Sequence, residues 1–295
     1  MKRVFLFLLT NLAILLVLGI AMNIIFSYFG ISKSGIGGLL VIAAVFGMGG
    51  SFISLAMSKT MVKWSTGAQV IKQPRNSTET WLIRTVHSQA ERVGIGMPEI
   101  AVYDSPDMNA FATGMNRNNA LVAVSTGLMD QMDKNEVEAV LAHEVSHVAN
   151  GDMVTLSLIQ GVVNTFVIVL ARVIGGVVDS MLSSRRDSDE GSSGGGGFYY
   201  YVIVFILEMV FGVLASIIVM WFSRHREFHA DRGGAKLAGR RKMIAALERL
   251  RSDRFDVQLP QEVATFGVSG RKSWSNIFMT HPPIEERIAV LRSKK

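Results

Sequence analysis

The chain has no cysteine, only six prolines in 295 residues, and few charges: Asp, Glu, Lys and Arg make up 18%, against about 25% in a soluble globular domain. Each shortage excludes something. Without cysteine there is no disulfide framework, no thiolate-held zinc, no iron–sulfur cluster and no thiol nucleophile. Any metal must be held by His, Asp or Glu. Scarce charge beside 49% apolar residues and a mean hydropathy of +0.33 excludes a disordered chain and an ordinary cytosolic enzyme.

What the chain has in their place is long apolar runs. A helix crossing a bilayer needs about 20 apolar residues, and four stretches qualify: Val4–Phe26, Gly35–Met57, Met153–Val178 and Phe198–Phe222. The first two carry no Lys, Arg, Asp or Glu. The third contains Gln160, Asn164 and Arg172, and the fourth Glu208, so these two either cross fully or dip in. A charge in lipid must face protein or a partner. Arg172 and Glu208 therefore face each other across an antiparallel helix pair, or else Arg172 lies at the far interface and snorkels.

Basic residues near the segment ends set the orientation. One side holds Lys2, Arg3, Lys59, Lys63, Lys72, Arg75, Arg224, Arg226, Arg232, Lys236, Arg240, Arg241 and Lys242. The other holds Lys33, Arg185 and Arg186. Both chain ends are therefore expected in the cytoplasm. The organisation that follows is two N-terminal transmembrane helices in 1–57, the first part of a cytoplasmic domain in 58–152, an apolar hairpin in 153–222, and the second part of the domain in 223–295. The Ser/Gly-rich stretch 179–197 reads as a flexible loop within the hairpin. The expected fold is mainly α with a small β element on a multi-pass membrane part. Residues 98–103 and 120–125 read as short strands, and 116–119 as the turn between them.

Residues 133–150 read as a helix. Asp133 with Glu136 forms a capping-box pattern, and Val137, Val140, Leu141 and Val148 follow helical spacing. Inside it lies His143-Glu144-Val145-Ser146-His147, an HExxH. Two histidines four apart share one helix face, so both imidazoles reach one ion. Glu144 projects beside that ion, placed to take a proton from a water there. A third ligand is needed. Ten residues after His143 stands Met153, which excludes the metzincin pattern. Asp152, on a continuing helix, would lie about 140° from the ligand face and fits poorly. Glu227 is the better candidate, because a hairpin of the third and fourth stretches returns it to the HExxH helix. Asp231, one turn on, is then placed to accept the distal N–H of a ligating histidine. His229 is a rival whose ring points away when Glu227 faces the metal.

The set HEVSH at 143–147, NGD at 150–152, SRHREFHAD at 223–231 and HPPIEER at 281–287, with NAFATG at 109–114, resembles the HtpX family of membrane-embedded zinc endopeptidases. The resemblance covers essentially the whole chain. It implies one zinc ion held by His143, His147 and Glu227, Glu144 as catalytic base, and Asp231 behind a ligand. It implies that His281 and Arg287 lie near the reacting carbonyl, and that Asn109 and Ala110 belong to an edge strand that pairs with substrate backbone. It also implies a bacterial inner-membrane protease with its active site facing the cytoplasm. Such a protease acts in quality control and stress response on unfolded or misfolded membrane proteins and on itself; nucleic acid is no partner. From the residues alone, His281 before Pro282 and Pro283 reads as a turn. Two other classes compete: a zinc-bearing membrane chaperone or adaptor with little turnover, for which Glu144 has no use, and a transporter, which Arg172 and Glu208 alone would support.

Overall fold

The computed structural model describes residues 35–183, 196–256 and 281–293, together with residues 20, 24, 27 and 28. The chain divides into two compact units, Met1–Ser54 with Ser157–Val219, and Leu55–Leu156 with Met220–Lys295. Among the described residues the elements are α1 (Ile36–Thr66), β1 (Gln69–Val70), α2 (Ser77–Val93), β2 (Glu99–Tyr103), β3 (Ala110–Asn116), β4 (Asn119–Ser125), α3 (Thr126–Gln131), α4 (Lys134–Asn150), α5 (Asp152–Ser183), α6 (Gly196–Ala238), α7 (Arg240–Asp256) and α8 (Ile284–Ser293). The protein is mainly helical with one small sheet.

Three of these helices are long and apolar enough to cross a membrane, over Gly37–Thr66, Asp152–Met181 and Tyr199–Ala238. The first apolar stretch, 4–26, lies outside the described residues apart from Ile20 and Ile24. Leu40, Phe52, Phe166, Leu170 and Phe205 are each about half exposed or more; an apolar surface of this extent belongs in lipid. At 43 residues, α6 is about twice the length a bilayer requires. Glu208 apart, its charges lie from Ser223 onward. Part of the loop expected at 179–197 is helical. Residues 179–183 continue α5 and residues 196–197 already belong to α6, because a helix with its backbone bonds formed propagates through Ser and Asp at little cost. Residues 184–195 lie outside the described set.

Within the first unit the helices meet through small residues. A Cβ on Gly47 of α1 would stand 2.6 Å from the Thr165 main-chain nitrogen of α5, and one on Gly161 3.1 Å from the Met48 Cα. Without a hydrophobic drive between helices in lipid, such close backbone approach is what packing relies on. Arg172 Nη1 donates to Glu208 Oε1 at 3.1 Å, so the facing arrangement is the one adopted. Gln160 Nε2 donates to Asn164 Oδ1 at 2.8 Å.

The second unit is built on a four-stranded sheet in the order β1-β2-β4-β3. β2 runs parallel to β4, and β3 antiparallel to it. The two strands expected from sequence form at 99–103 and 119–125. β4 is central and buried at six of its seven positions, which accounts for its unbroken apolar run. On one face Ile100, Val122 and Val124 pack with Leu82 and Val86 of α2, Val137, Leu141 and Val145 of α4, and Met243 and Leu247 of α7. On the other, Ala101, Tyr103, Leu121 and Ala123 meet Val62 and Phe111. Lys59 and Lys63, at the end of α1, both reach the Glu99 carboxylate at 2.5 Å. β3 turns into β4 at 116–119. A Cβ at Gly114, where φ is +146°, would stand 2.3 Å from the Asn119 carbonyl oxygen, so that position admits only glycine.

The Arg172–Glu208 pair gives a test of the membrane helices. Arg172→Leu and Glu208→Leu each leave one charge without its partner, whereas the double variant removes both. In reconstituted protein, each single change is expected to lower the unfolding midpoint and the double to recover most of the loss, with a coupling on the order of 1 kcal/mol. Additive losses would mean that the two side chains do not interact in the bilayer.

Candidate active site

α4 is defined at both ends. Asp133 caps its start, its Oδ1 accepting from the Asn135 and Glu136 N–H groups at 2.7 and 2.9 Å, while Glu136 Oε2 accepts from the Asp133 N–H at 3.0 Å. Gly151, with φ +70°, ends the helix in the left-handed conformation, as glycine does at this position. Arg117 Nη2 donates to the Ala149 carbonyl at 2.9 Å, placing a cation at the negative end of the helix.

The two histidines of α4 turn their Nε2 atoms toward each other, 3.1 Å apart. Glu227, from α6, closes the triangle. Its Oε2 stands 3.5 Å from His143 Nε2 and its Oε1 3.2 Å from His147 Nε2. Donors held at about 2.0–2.1 Å in a tetrahedron lie about 3.3–3.4 Å from one another. The three edges bracket that value, so these side chains fit one metal ion.

The far side of each imidazole supports the same reading. His147 Nδ1 lies 2.6 Å from Asp152 Oδ2. His143 Nδ1 lies 3.0 Å from Asp231 Oδ1, in contact though off the line of a good hydrogen bond. A carboxylate behind Nδ1 keeps the proton there and leaves the Nε2 lone pair free to ligate. Burial by itself would push both imidazole pKa values down. The surrounding carboxylates outweigh it: Asp231 and Glu227 hold His143 above its ordinary value, and Asp152 and Glu227 raise His147 to about 10. The site demands positive charge at its centre, which is what a divalent cation supplies.

Two arginines brace these acidic residues. Arg287 of α8 is buried and grips Asp231 in a fork, Nε to Oδ2 at 2.8 Å and Nη2 to Oδ1 at 2.6 Å. Its Nη1 is 3.4 Å from Glu227 Oε2. Arg226 donates to the Asp152 carbonyl. His281, half exposed, places Nδ1 2.8 Å from Glu227 Oε2. Glu144 lines a cleft of about 180 Å³ together with His143, Glu227, His281, Arg287, Asn109 and Ala110. His229 is turned away, its Nδ1 3.1 Å from the His225 carbonyl.

All nine residues singled out from sequence thus lie in one region of the second unit. His143, Glu144, His147, Glu227, Asp231, His281 and Arg287 form a connected cluster around the ligand triangle. Asn109 and Ala110 stand at the head of β3 on the rim of the cleft. A continuous helix would carry Asp152 off the ligand face. The helix is not continuous. Gly151 breaks it, and Asp152 swings back to His147 as the partner of an imidazole. The Asn-Gly-Asp sequence was the signal, since glycine after a helix marks its end. Also unread were Gly233 and Gly234. A Cβ on Gly233 would stand 2.5 Å from Ser146 Oγ, and one on Gly234 3.1 Å from the His143 nitrogen, so they let α6 lie directly on α4.

An HExxH helix, a carboxylate ligand from a second helix and a set of membrane-length helices define a membrane metalloprotease. The description Peptidase family M48 matches residues 76–295. The chain is 64% identical to the protease HtpX of Aeromonas hydrophila over 292 residues, 99% of this chain and all of that one. It is 61% identical to protease HtpX of Xanthomonas oryzae pv. oryzae over 294 residues, 99% of this chain and 97% of the relative. The fold is similar to that of S. mikatae Ste24p, with a TM-score of 0.65 at 17% identity, covering 98% of this chain and 66% of that one. The chain belongs to peptidase family M48, among its HtpX proteases.

The support behind His147 can be tested apart from turnover. Asp152→Ala leaves His143, His147 and Glu227 in place but frees the His147 imidazole. Metal affinity, read by competition with a chromophoric chelator, is expected to fall about 10–100-fold. An affinity equal to the parent's would show that Asp152 does not act through the metal site.

Proposed function

We propose that the chain is a zinc endopeptidase of the bacterial inner membrane that cuts unfolded or misfolded membrane proteins, and itself, at a site facing the cytoplasm. The observation that carries this reading is the convergence of three ligand atoms within 3.5 Å of one another beside a carboxylate, Glu144, in an open cleft. His143, His147 and Glu227 hold the ion, and a set of two histidines and one glutamate suits zinc. Bound there, zinc supplies Lewis acidity toward the scissile carbonyl and the attacking water.

The chain's own residues do the rest. Glu144 takes the proton from the attacking water and passes it to the leaving amine. His281, on the cleft wall, is placed to help the developing oxyanion. Arg287 has its fork engaged by Asp231, so it acts by fixing Asp231 and Glu227. The intact base speaks against the chaperone reading, since a scaffold gains nothing from Glu144. The cytoplasmic placement rests on the basic residues that flank the spans.

Substrate backbone is bound at the free edge of β3. Among the described residues β3 pairs only with β4. The Ser125 N–H donates to the Asn109 carbonyl at 2.9 Å, and the Asn109 N–H to Ser125 Oγ at 3.0 Å. Antiparallel pairing alternates. Positions 109, 111 and 113 therefore spend their main-chain groups on β4, and Ala110 and Ala112 turn theirs outward. A strand added there is recognised by main-chain bonds whatever its sequence, which suits unfolded protein as a substrate.

Two experiments follow. In detergent-purified protein prepared with a chelator and then given zinc, the parent is expected to cut casein and Glu144→Ala to bind zinc equally without cutting. Equal rates from the two proteins would remove Glu144 from the chemistry. Ala110→Pro deletes one outward N–H at an edge position that tolerates proline. It should lower kcat/KM for unfolded substrate about 5–10-fold, roughly one hydrogen bond, with metal content unchanged. An unaltered kcat/KM would place substrate elsewhere.

A further inference from the structure

Tyr103, the last residue of β2, is 7% exposed, and among the described residues its hydroxyl has no hydrogen-bond partner. A buried hydroxyl left unpaired is costly and calls for an explanation. Strand register sets its surroundings. Tyr103 lies opposite Ser125 of β4. The Ser125 N–H donates to the Asn109 carbonyl at 2.9 Å, and the Asn109 N–H to Ser125 Oγ at 3.0 Å, at the head of β3. Residues opposite one another on neighbouring strands share a face, so the three side chains form a row across the sheet. Phe111, two residues after Asn109 and so on the same face, holds its ring 5.6 Å from that of Tyr103. Ser125 and Asn109 stand beside the hydroxyl, neither in the line of a bond.

Of these two neighbours only Asn109 has capacity to spare. Ser125 Oγ accepts from the Asn109 and Leu128 N–H groups, each at 3.0 Å, and donates to the Asp107 carbonyl at 2.7 Å, which uses its hydrogen and both lone pairs. Burial raises the Tyr103 pKa, so the hydroxyl keeps its proton and acts as a donor. The acceptor left to it is the carboxamide oxygen of Asn109, an exposed residue that lines the cleft beside Glu144. The Asn109 main chain is spent on Ser125, so what this residue offers to a bound strand is its side chain. We propose that Tyr103 is a positioning residue for substrate: with an unfolded chain at the edge of β3, its hydroxyl donates to the Asn109 carboxamide oxygen and so turns the carboxamide N–H groups toward a main-chain carbonyl of that chain. The inference rests on the protease reading above and names the group that orients one of its substrate contacts. A carboxamide has its acceptor and its donors at opposite corners, so a bond to the oxygen fixes where the donors point. Every residue has the carbonyl they meet, which keeps recognition independent of substrate sequence. The cost of the unpaired hydroxyl falls on the free protein and is relieved in the complex, which favours binding.

Tyr103→Phe deletes the hydroxyl and keeps the ring. In zinc-loaded full-length protein with a casein-derived peptide, KM is expected to rise about 5–10-fold, roughly one hydrogen bond. The value of kcat should stay within about twofold, as for lost binding that ground and transition states share. The unfolding midpoint should hold or rise, because an unpaired buried hydroxyl has been removed, whereas loss of a merely structural contact would lower it. Asn109→Ala is the second arm. It should raise KM at least as far, and Tyr103→Phe added to it should raise KM no further. An unmoved KM in Tyr103→Phe, the same further rise in the Asn109→Ala background, or a lowered midpoint would each overturn the positioning role while leaving the protease standing. Absence of any cleavage by the parent beyond that of Glu144→Ala would instead overturn the protease reading, and this role with it.

Discussion

The site depends on the backbone of α6 lying against the backbone of α4. Three donor atoms bracket a tetrahedral edge only because Glu227, a short side chain, reaches the imidazoles from a neighbouring helix. Glu227, Ala230, Asp231 and Gly234 fall at helical spacing on one face. Ala230 is fully buried, and the glycines after it leave no side chain between the helices. Ser146, on the ligand helix, is free to bond its own Ala142 carbonyl at 2.6 Å because nothing protrudes from Gly233. A larger residue at either glycine would open the helix pair, and ligand edges of 3.1 to 3.5 Å leave little tolerance for such a shift.

Burying so many charges is tolerable only because none is alone. A buried ion pair with one partner removed is far more costly than the same pair intact. Here each ligating imidazole is backed by an aspartate, and each aspartate is held by an arginine: His143, Asp231 and Arg287 on one side, His147, Asp152 and Arg226 on the other. Arg226 and Glu227 are adjacent on α6, so one turn of helix supplies both a corner of the triangle and a bond to the Asp152 main chain. Arg287 comes from the last described helix, whose Ile284, Ile288 and Leu291 join the core. The packing of α8 thus holds Arg287, which reaches His143 through Asp231.

Much of this was legible in sequence for a simple reason. Helical geometry is local, and HExxH places its groups by spacing alone. The capping box at Asp133 and Glu136 was readable because it needs four consecutive residues. β4 was readable because it is buried on both faces. β3 was not, since Ala110–Asn116 contains a glycine and a bulge and lacks clean alternation; it entered only through the family resemblance. Glu227 required a second helix to return, which the paired apolar stretches implied. The part of Asp152 is hidden in the sequence because helical periodicity carried past Gly151, which ends the helix, puts it on the wrong face. The roles of Gly233 and Gly234 depend on a neighbour about ninety positions earlier, and no spacing rule reaches that far.

That arrangement bears on what the apolar hairpin is for. Asp152 is the first residue of α5, and Arg226, Glu227 and Asp231 ride on α6. The same helices that continue as membrane-length segments therefore carry, in their own turns, a ligand, both imidazole partners and one of the arginines. Arg226 joins them directly at the Asp152 carbonyl. Closing a long flexible loop between ligand-bearing elements would cost entropy without fixing their geometry. Two helices fix it, because a helix that slides or rotates moves every residue on it together. The turns of α5 and α6 that belong to the second unit are thus part of the frame that sets these distances.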